Sequence, residues 1–489
     1  MTLLKYGVNV YAGPTKGQPP LNVDSELTAI IGAFPADNGA GYEIGQSNTW
    51  YAATSWEDFK GKYGGEEIWG AGNLERSQGW NANKSVERLM SGFGMYPVLI
   101  YNVLDPDSHQ TAIADESRVL ITGTVKLVNK YIQMSTIVVT DSPMTTTYDI
   151  GDDYTVSRGT DGLVSITTVS TGAIGATDTI LVDYDYCDNS AITQIQVTAA
   201  IQGCNDIITD LGFSRLPGWI HAPYWSQADI DNVVAATVRT DLSTISANLN
   251  STFVTRFVYD IDETDYNSSS DLADIYADKS ILDENGRAFF GEGTYGATTE
   301  QLLSDWYIGM MSLEVELNGY VGVSPSNRPM TGYVPNNKLS FPTASNAVRD
   351  KGIITVILDT ADRGWNLWGT WTSFYNGTAT DLRKDSTNQN DFIAYKSKQL
   401  TRDLWAKSTD RNFNKFTIQD FVDKENSAGR LLISKGQMIG YELEFRAVDN
   451  PDLSTQINLR MYVLAPEPQK RTDVEIQVDL NFFNTIFPA

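Results

Sequence analysis

The chain has 489 residues, enough for roughly three domains that each bury a core. It carries 61 acidic and 36 basic residues, and its net charge of −25 argues against broad nucleic-acid affinity. Two cysteines and two histidines disfavour a disulfide framework, a zinc or haem site and most histidine-based catalysis. The first twenty residues lack the apolar run of a signal peptide and no stretch approaches a membrane span, so we expect a soluble, cytoplasmically made protein without cofactors.

The first 110 residues divide into an arm and the start of an α/β domain. Gly-Pro and Pro-Pro pairs interrupt any regular element in residues 1–24, which are predicted to form an extended N-terminal arm. An apolar run at 27–34 and a buried-strand run at 96–103 follow. Residues 25–110 are therefore assigned to a middle α/β domain that resumes at 189–345.

Between residues 111 and 188 the sequence changes to short Val, Ile, Thr and Tyr runs separated by turn residues. The predicted strands lie at 118–127, 136–140, 153–156, 164–169 and 179–186. Several short strands at regular spacing predict a small all-β domain inserted into the chain at 111–188. The predicted fold class is thus a multi-domain α/β protein with α/β core domains, an inserted all-β domain and extended terminal arms.

A strand, a helix and a second strand are predicted in that order at 218–222, 227–248 and 253–261. Ser226, with Asp229 three residues later, resembles a capping box at the start of the helix. Strands joined by a crossover helix pair in parallel, so this order predicts a parallel sheet.

The C-terminal part is assigned to a domain at 346–472, followed by an arm at 473–489. The predicted elements are a strand at 352–358, helices at 391–407 and 417–432, and strands at 441–446 and 457–463. Residues 396–415 include six basic and two acidic residues, a local net charge of +4. Four of them, on the first helix, are Lys396, Lys398, Arg402 and Lys407. This pattern indicates either a specific acidic partner or an ordinary solvated helix face.

The final strand, 474–482, has strict alternation of apolar and polar residues. Its apolar positions are Val474, Ile476, Val478, Leu480 and Phe482. Two prolines, at 466 and 468, stiffen the connection that precedes it. Such a tethered strand can complete its own sheet or add to the edge of a neighbour's sheet, and the pattern alone leaves both open.

Two short motifs match patterns that carry chemistry in other proteins. Asp260 and Asp262 follow an apolar strand in a DxDxT arrangement, which fits haloacid-dehalogenase-like phosphotransferases that use the first Asp as nucleophile beside magnesium. About half of the chain precedes the motif, and no later Gly-Asp pair supplies the remaining metal ligands. An acidic loop at a strand end is therefore favoured over the enzyme.

The second motif is a GxGxxG match at Gly291 to Gly296, before a helix predicted to start near Thr298. In nucleotide-binding folds such glycines let the backbone approach a pyrophosphate at a helix N-terminus. Glu292 inside the loop would repel phosphate. A mobile surface loop is therefore favoured.

Four stretches resemble the sheath proteins of contractile injection machines such as phage tails, related bacteriocins and secretion systems. Residues 6–34 resemble the sheath N-terminal arm and first core strand. The Ser-Pro-Ser-Asn sequence at 324–327 resembles the signature that closes the middle domain. The segment 352–372 contains the Gly-Ile strand and the Trp-Gly-x-x-Thr sequence, with Trp371 where an arginine is usual. Two helices and terminal strands at 391–482 follow the order of the C-terminal sheath domain.

The resemblance implies a non-enzymatic, mechanical protein. Sheath subunits polymerise as stacked, hexameric rings around an inner tube and contract to drive that tube through a membrane. Their partners are further copies of themselves, the inner tube protein, the baseplate and the tail terminator, without nucleic acid or direct membrane insertion. The location implied is a virion tail or contractile particle assembled in the bacterial cytoplasm.

Site residues follow from the same resemblance. The strand 474–482 is expected to pair with a neighbouring subunit, and the basic residues Lys396, Lys398, Arg402 and Lys407 are expected to contact the inner tube. The alternatives are the phosphotransferase and a β-rich surface-binding protein that uses the 111–188 segment for recognition.

Overall fold

The computed structural model describes most of the chain between residues 27 and 467. The described ranges are 27–37, 47–63, 81–159, 162–212, 215–227, 229, 232–249, 253–262, 272–295, 299–359, 364–408, 415–446 and 459–467. The predicted N-terminal arm at 1–24 and the predicted strand at 474–482 both lie outside these ranges.

The strands are numbered β1 to β20 in chain order. They are β1 Thr28–Gly32, β2 Trp50–Ala53, β3 Val98–Asn102, β4 Gln110–Val119, β5 Thr124–Lys130, β6 Val138–Asp141, β7 Thr147–Tyr148, β8 Tyr154–Arg158, β9 Leu163–Thr168, β10 Thr179–Cys187, β11 Trp219–His221, β12 Arg256–Asp260, β13 Gly286–Phe289, β14 Gly293–Tyr295, β15 Thr299–Gln301, β16 Tyr333–Pro335, β17 Ile353–Leu358, β18 Trp365–Trp368, β19 Gly440–Phe445 and β20 Leu459–Leu464.

The helices are numbered in the same way. They are α1 Trp56–Tyr63, α2 Asn81–Glu87, α3 Gln194–Gln202, α4 Ile207–Leu211, α5 Ala235–Ala247, α6 Leu272–Asp278, α7 Leu303–Asn318, α8 Thr343–Arg349, α9 Leu382–Asp385, α10 Thr387–Ser408 and α11 Lys415–Ser434. A π-helical turn, Arg88–Gly92, continues α2, and short 3₁₀ turns occur at Met134–Thr136, Asn189–Ala191 and Gly203–Asp206.

The centre of the molecule is an eight-stranded sheet in the order β18-β17-β13-β12-β11-β1-β3-β2. The six inner strands run parallel, and the two outermost strands, β18 and β2, run antiparallel to their neighbours. The predicted α/β class with a parallel sheet is confirmed. Parallel strands need both faces covered, which explains the apolar runs that the sequence shows at these positions.

Alternating residues of the inner strands feed two separate cores. In β1, Ala29 and Ile31 pack on one face with α3, α5 and α6, whereas Ile30 packs on the other face with α1, α2 and α7. The central sheet is therefore the middle of three layers, with helices on both sides.

The strand-helix-strand order predicted at 218–261 is confirmed, because β11 and β12 pair in parallel. The helix between them begins at Ala235 rather than at 227. Asp229 still acts at its start, since its carboxylate accepts a hydrogen bond from the backbone of Ala235 at 2.9 Å. The predicted capping box between Ser226 and Asp229 is wrong, because residues 223–227 form a turn before the helix.

Strands β4 to β10 all fall between residues 110 and 187. They form a sheet in the order β4-β10-β6-β7 and a second sheet in the order β5-β9-β8. Side chains from both sheets, among them Leu127, Val139 and Ile166, share a core of their own. The segment also contacts the α/β part, because Arg158 lies 3.0 Å from the buried carboxylate of Asp37. A separate inserted domain at 111–188 stays a prediction.

The glycine-rich motif does not connect a strand directly to a helix. Gly293–Tyr295 forms strand β14, which pairs antiparallel with β15, and α7 begins only at Leu303. The helix start predicted near residue 298 is therefore wrong, because residues 299–301 form a strand. Glu292 is buried, and Gly296 lies outside the described ranges.

Candidate assembly site

Two of the four stretches that carry the sheath resemblance, 324–327 and 352–372, meet in space. Asn327 donates its backbone N–H to the carbonyl of Leu367 at 2.6 Å, and the backbone N–H of Gly369 donates to the Ser326 hydroxyl at 3.1 Å. Gly369 also packs so closely on Ile354 of β17 that a Cβ there would lie 3.0 Å from the Ile354 Cα. These motifs therefore fix the edge of the central sheet beside the C-terminal segment.

Trp371, which stands where an arginine is usual in the sheath family, is buried. Its ring stacks on Tyr375 with the ring centroids 4.2 Å apart and an interplanar angle of 7°. The position therefore contributes stacking and apolar burial here in place of charge.

From residue 387 onward, the described residues form a C-terminal lobe of two helices and a hairpin. Helices α10 and α11 cover one face of the antiparallel pair β19–β20, and the enclosed residues form two small cores. Gly429 of α11 lies against the ring of Tyr441, leaving no room for a side chain at that position. A two-stranded sheet is marginal in isolation, so this helical cover is what gives the hairpin its stability.

Side-chain amides form hydrogen bonds with main-chain groups on both outer edges of the hairpin. Asn426 of α11 donates to the carbonyl of Leu443 at 2.8 Å and accepts from its N–H at 2.7 Å. On the other edge, Gln389 of α10 donates to the carbonyl of Val463 at 3.2 Å and accepts from the N–H of Ala465 at 2.8 Å.

A buried ion cluster attaches α10 to the central sheet. The Asp391 carboxylate lies 2.7 Å from a guanidinium nitrogen of Arg287 and 3.0 Å from one of Arg256, and all three side chains are almost fully buried. The Arg256 guanidinium also lies over the ring of Trp219, 3.8 Å from its centroid. One carboxylate therefore neutralises part of the charge of two arginines from neighbouring strands, β12 and β13, and fixes the start of α10 against them.

Two of the four lysine and arginine residues predicted to contact the inner tube are engaged within the chain. Lys396 lies 2.9 Å from Glu425 of α11, and Lys398 donates to the carbonyls of Leu216 and Pro217 at 3.2 Å each. Both lysines are buried, so neither lies on an exposed face of the free chain. Arg402 is half-buried, and the side chain of Lys407 lies outside the described residues.

The described chain ends beside the start of α10. Ala465 is buried, the carbonyl of Pro466 accepts from Asn388 at 3.2 Å, and Glu467 accepts from the Ser386 hydroxyl at 2.7 Å. The predicted inter-subunit positions Val474, Ile476, Val478, Leu480 and Phe482 follow this point and lie outside the described ranges.

The acidic motif at Asp260 lies at the carboxyl end of β12, inside a buried polar cluster. Asp260 accepts the backbone N–H of Ser304 at 3.1 Å and thus caps α7. His221, at the end of β11, lies 3.4 Å from Asp305, which also accepts from Ser85 at 2.7 Å.

The surroundings of Asp260 raise the pKa of its carboxyl above the ordinary value. Burial raises the pKa of Asp260 to about 6, with nearby Asp305 acting in the same direction and His221 opposing it. Within the described part of the chain, no group of three or more His, Cys, Asp or Glu side chains could hold a metal ion. Asp260 therefore has a structural task at the helix start that the motif alone did not suggest.

The residues that organise this lobe were not singled out from the sequence. Asn426 falls four residues after Val422, on the apolar face of α11, and a polar residue on such a face is the signal that could have identified it. Gln389 and Asp391 belong to a polar run that precedes the apolar positions of α10.

Comparison with curated proteins gives one relative over nearly the full length. The tail sheath protein of Burkholderia phage BcepMu is 22% identical over 518 residues, covering 98% of this chain and 98% of the relative. No family model matches the chain.

Solved structures of low sequence identity have the same fold. A chain of the anti-feeding prophage baseplate has a TM-score of 0.56 at 11% identity, covering 98% of this chain and all of the other. The helical sheath of that prophage in its contracted state gives 0.53 at 11% identity, with 98% and 100% coverage. A sheath tail protein of Desulfitobacterium hafniense gives 0.52 at 10% identity, with 94% and 100% coverage.

The fold is therefore that of the sheath proteins of contractile tails and injection systems. The resemblance drawn from the sequence is confirmed, since the chain is similar to a curated tail sheath protein along almost its whole length. None of the helices in the described ranges combines the length and apolar character needed to cross a bilayer.

Proposed function

We propose that this chain is a structural subunit of a contractile sheath. It polymerises as a helical array of stacked, hexameric rings around an inner tube and contracts to drive that tube through a membrane. The observation that carries the proposal is agreement with a tail sheath protein over 98% of both chains, together with the sheath fold. The subunit acts in a phage tail or related particle assembled in the bacterial cytoplasm, with the baseplate and tail terminator as further partners.

Assembly rests on repeated head-to-tail contacts between subunits. A heterologous contact that does not close into a ring generates an open helical filament, and this is the geometry that a sheath needs. No nucleotide is required, because a free-energy difference between two packings of the same subunits supplies the work of contraction. The proposed mechanism therefore uses no cofactor.

The contact that links subunits is donation of the strand 474–482 to the hairpin of a neighbour. Among the described residues, β19 and β20 form a two-stranded sheet with an outer edge on each side. Main-chain hydrogen bonds along such an edge provide affinity for an added strand. The described chain ends at Glu467, which accepts from the Ser386 hydroxyl, and the alternating sequence begins seven residues later.

Contact with the inner tube is proposed for the two remaining members of the predicted basic set on α10. Arg402 and Lys407 are the members to test, because Lys396 and Lys398 already hold α10 to Glu425 and to the loop before β11. Exposed charge pairs contribute about 0 to 1 kcal/mol each, so a contact repeated around every ring is needed and can be released on contraction.

Electron microscopy of the purified protein tests the proposal. At high concentration the subunits should form long hollow cylinders with a helical surface lattice. Monodisperse particles across a range of salt and protein concentrations would contradict a sheath role and favour a binding protein or enzyme.

A further inference from the structure

A side chain from helix α11 covers the centre of the outer edge of β19. The residues of this strand whose main-chain N–H and carbonyl point away from β20 are Tyr441, Leu443 and Phe445, since the main-chain groups of the alternate residues point toward β20. Asn426 bonds both main-chain groups of the middle residue, Leu443, at 2.7 and 2.8 Å. An added strand would make the same two hydrogen bonds to Leu443, one to its N–H and one to its carbonyl. Asn426 therefore occupies the position of an incoming backbone.

The opposite edge is covered differently. Gln389 reaches the carbonyl of Val463 and the N–H of Ala465, which lie at the last outward positions of β20 and just beyond it. Met461, the middle outward residue of β20, is not one of its partners. The side-chain cover on β20 is therefore at the end of the edge, whereas that on β19 is at its centre.

We propose that Asn426 is a removable cap that closes the β19 edge in the free subunit, and that a strand from a second copy of this chain must displace it. The inference rests on the proposed function, because it concerns regulation of the strand-accepting hairpin. An uncovered strand edge is open to pairing with any extended chain. A cap of two hydrogen bonds excludes weak, non-specific pairing and yields to a strand that offers pairing along the whole edge.

The surroundings of Asn426 allow its side chain to leave without movement of the helix. Helix α11 is held against the hairpin by other contacts, including the close approach of Gly429 to Tyr441 and the hydrogen bond from the Tyr441 hydroxyl to Glu425 at 3.3 Å. Only rotation of one short amide is then needed to free Leu443.

A peptide of residues 473–489 is the probe for the test. It is labelled at its N-terminus and titrated into full-length subunit held below the concentration at which it polymerises. Asn426→Ala should bind the peptide about tenfold more tightly than the wild type, because the peptide no longer competes with two hydrogen bonds. Gln419→Ala, on the exposed face of the same helix, is the matched control and should bind like the wild type.

Hydrogen exchange at the Leu443 amide shows whether the cap has been removed. It should be slow in the wild-type subunit, fast in Asn426→Ala and slow again when peptide is bound. If Asn426→Ala does not fold, Asn426→Ser replaces it, since serine is too short to reach both groups of Leu443. Equal peptide affinities, with Leu443 exposed in the variant, would overturn the inference. Absence of polymer from wild-type protein would instead contradict the proposed function.

Discussion

The edge of the central sheet and the edge of the terminal hairpin are closed in different ways. At β18, the loop 327–330 supplies main-chain partners: Leu367 bonds Asn327 and Arg328, and Trp365 bonds Met330. At β19 and β20, the partners are the side chains of Asn426 and Gln389. The first closure uses chain that is part of the core, whereas the second uses single amides that rotate about their own bonds.

This difference separates a permanent edge from an exchangeable one. The central sheet buries both faces under helices, and its stability needs no further strand. In the part of the chain that the structure describes, the hairpin has two strands with helices on one face, and further strands would add both hydrogen bonds and apolar burial. Under the proposed function, the molecule combines a core closed by its own chain with a lobe that accepts a strand from a neighbour.

Removal of residues 473–489 should have the largest effect on assembly and little effect on the core. The truncated subunit should remain a folded monomer that does not polymerise, because the donated strand is lost while the central sheet keeps all its described partners. Sedimentation velocity and a circular-dichroism melt measure the two properties together. A sharply lower melting temperature with aggregation would show that the strand completes its own subunit.

Asp391→Ala should give the largest loss of subunit stability. It leaves Arg256 and Arg287 buried without their carboxylate, and breaking a buried pair in this way costs about 3–5 kcal/mol. Urea unfolding monitored by tryptophan fluorescence measures the change.

The matched control is Asp420→Ala, which removes an exposed ion pair with Lys424 on α11. An exposed helical pair of this spacing contributes only about 0.3–0.5 kcal/mol. Similar losses from both variants would mean that the Asp391 cluster does not anchor α10 to the sheet.

The sequence predicts the core better than the lobe because the core depends on local apolar patterns. Runs such as 96–103 and 253–261 indicate buried strands, and the crossover between 218 and 261 predicts a parallel pair that the structure contains. Strand order across eight strands depends instead on contacts between distant segments, which no single run encodes. The helix expected near Thr298 failed for the same reason, since pairing with β14 made residues 299–301 a strand.

The basic segment shows why charge patterns alone mislead about a site. Lys396, Lys398 and Arg402 share a helix, and their spacing fits a solvated face. Tertiary structure buries the first two, with Lys396 on Glu425 and Lys398 on two backbone carbonyls, because long side chains can reach partners that sequence spacing does not reveal. Asn426 is the opposite case, because nothing in the composition of its helix distinguishes this candidate functional residue from its neighbours.

Asp260 predicts a pH dependence that belongs to the core and not to the lobe. Its pKa is about 6 when folded, against an ordinary value of 3.8, so the folded state holds its proton more tightly than the unfolded state. The resulting stabilisation is fully present below pH about 4 and is lost as the pH rises through about 6. At about 1.4 kcal/mol per pH unit, the change amounts to roughly 3 kcal/mol.

Asp260→Asn should remove this dependence while keeping the acceptor for the Ser304 N–H. Urea unfolding between pH 4 and 7 should show a smaller fall in stability for the variant than for the wild type. The substitution should leave peptide binding at the hairpin unchanged. Identical pH profiles for the two proteins would contradict the assignment. His221 and Asp305 remain in both proteins and serve as the internal reference.

The smallest effect on assembly is expected from replacing residues 111–188 with a short Gly/Ser linker. The ends of this segment are close, since the N–H of Asp188 lies 3.0 Å from the carbonyl of His109, so a short linker can span the gap. The strands inside it pair with one another and share their own core, and an element of this kind is removed with less damage than one that interrupts a core. Several contacts with the α/β part would be lost. The buried Asp37 carboxylate lies 3.0 Å from Arg158 and accepts the Met134 N–H at 3.1 Å, and the Cys187 thiol donates to the Ala36 carbonyl at 3.0 Å. The deletion is therefore combined with Asp37→Asn, which removes that buried charge. Hollow cylinders at the wild-type polymerisation concentration would place the assembly contacts elsewhere in the chain, whereas a folded deletion variant that fails to polymerise would assign them to this segment.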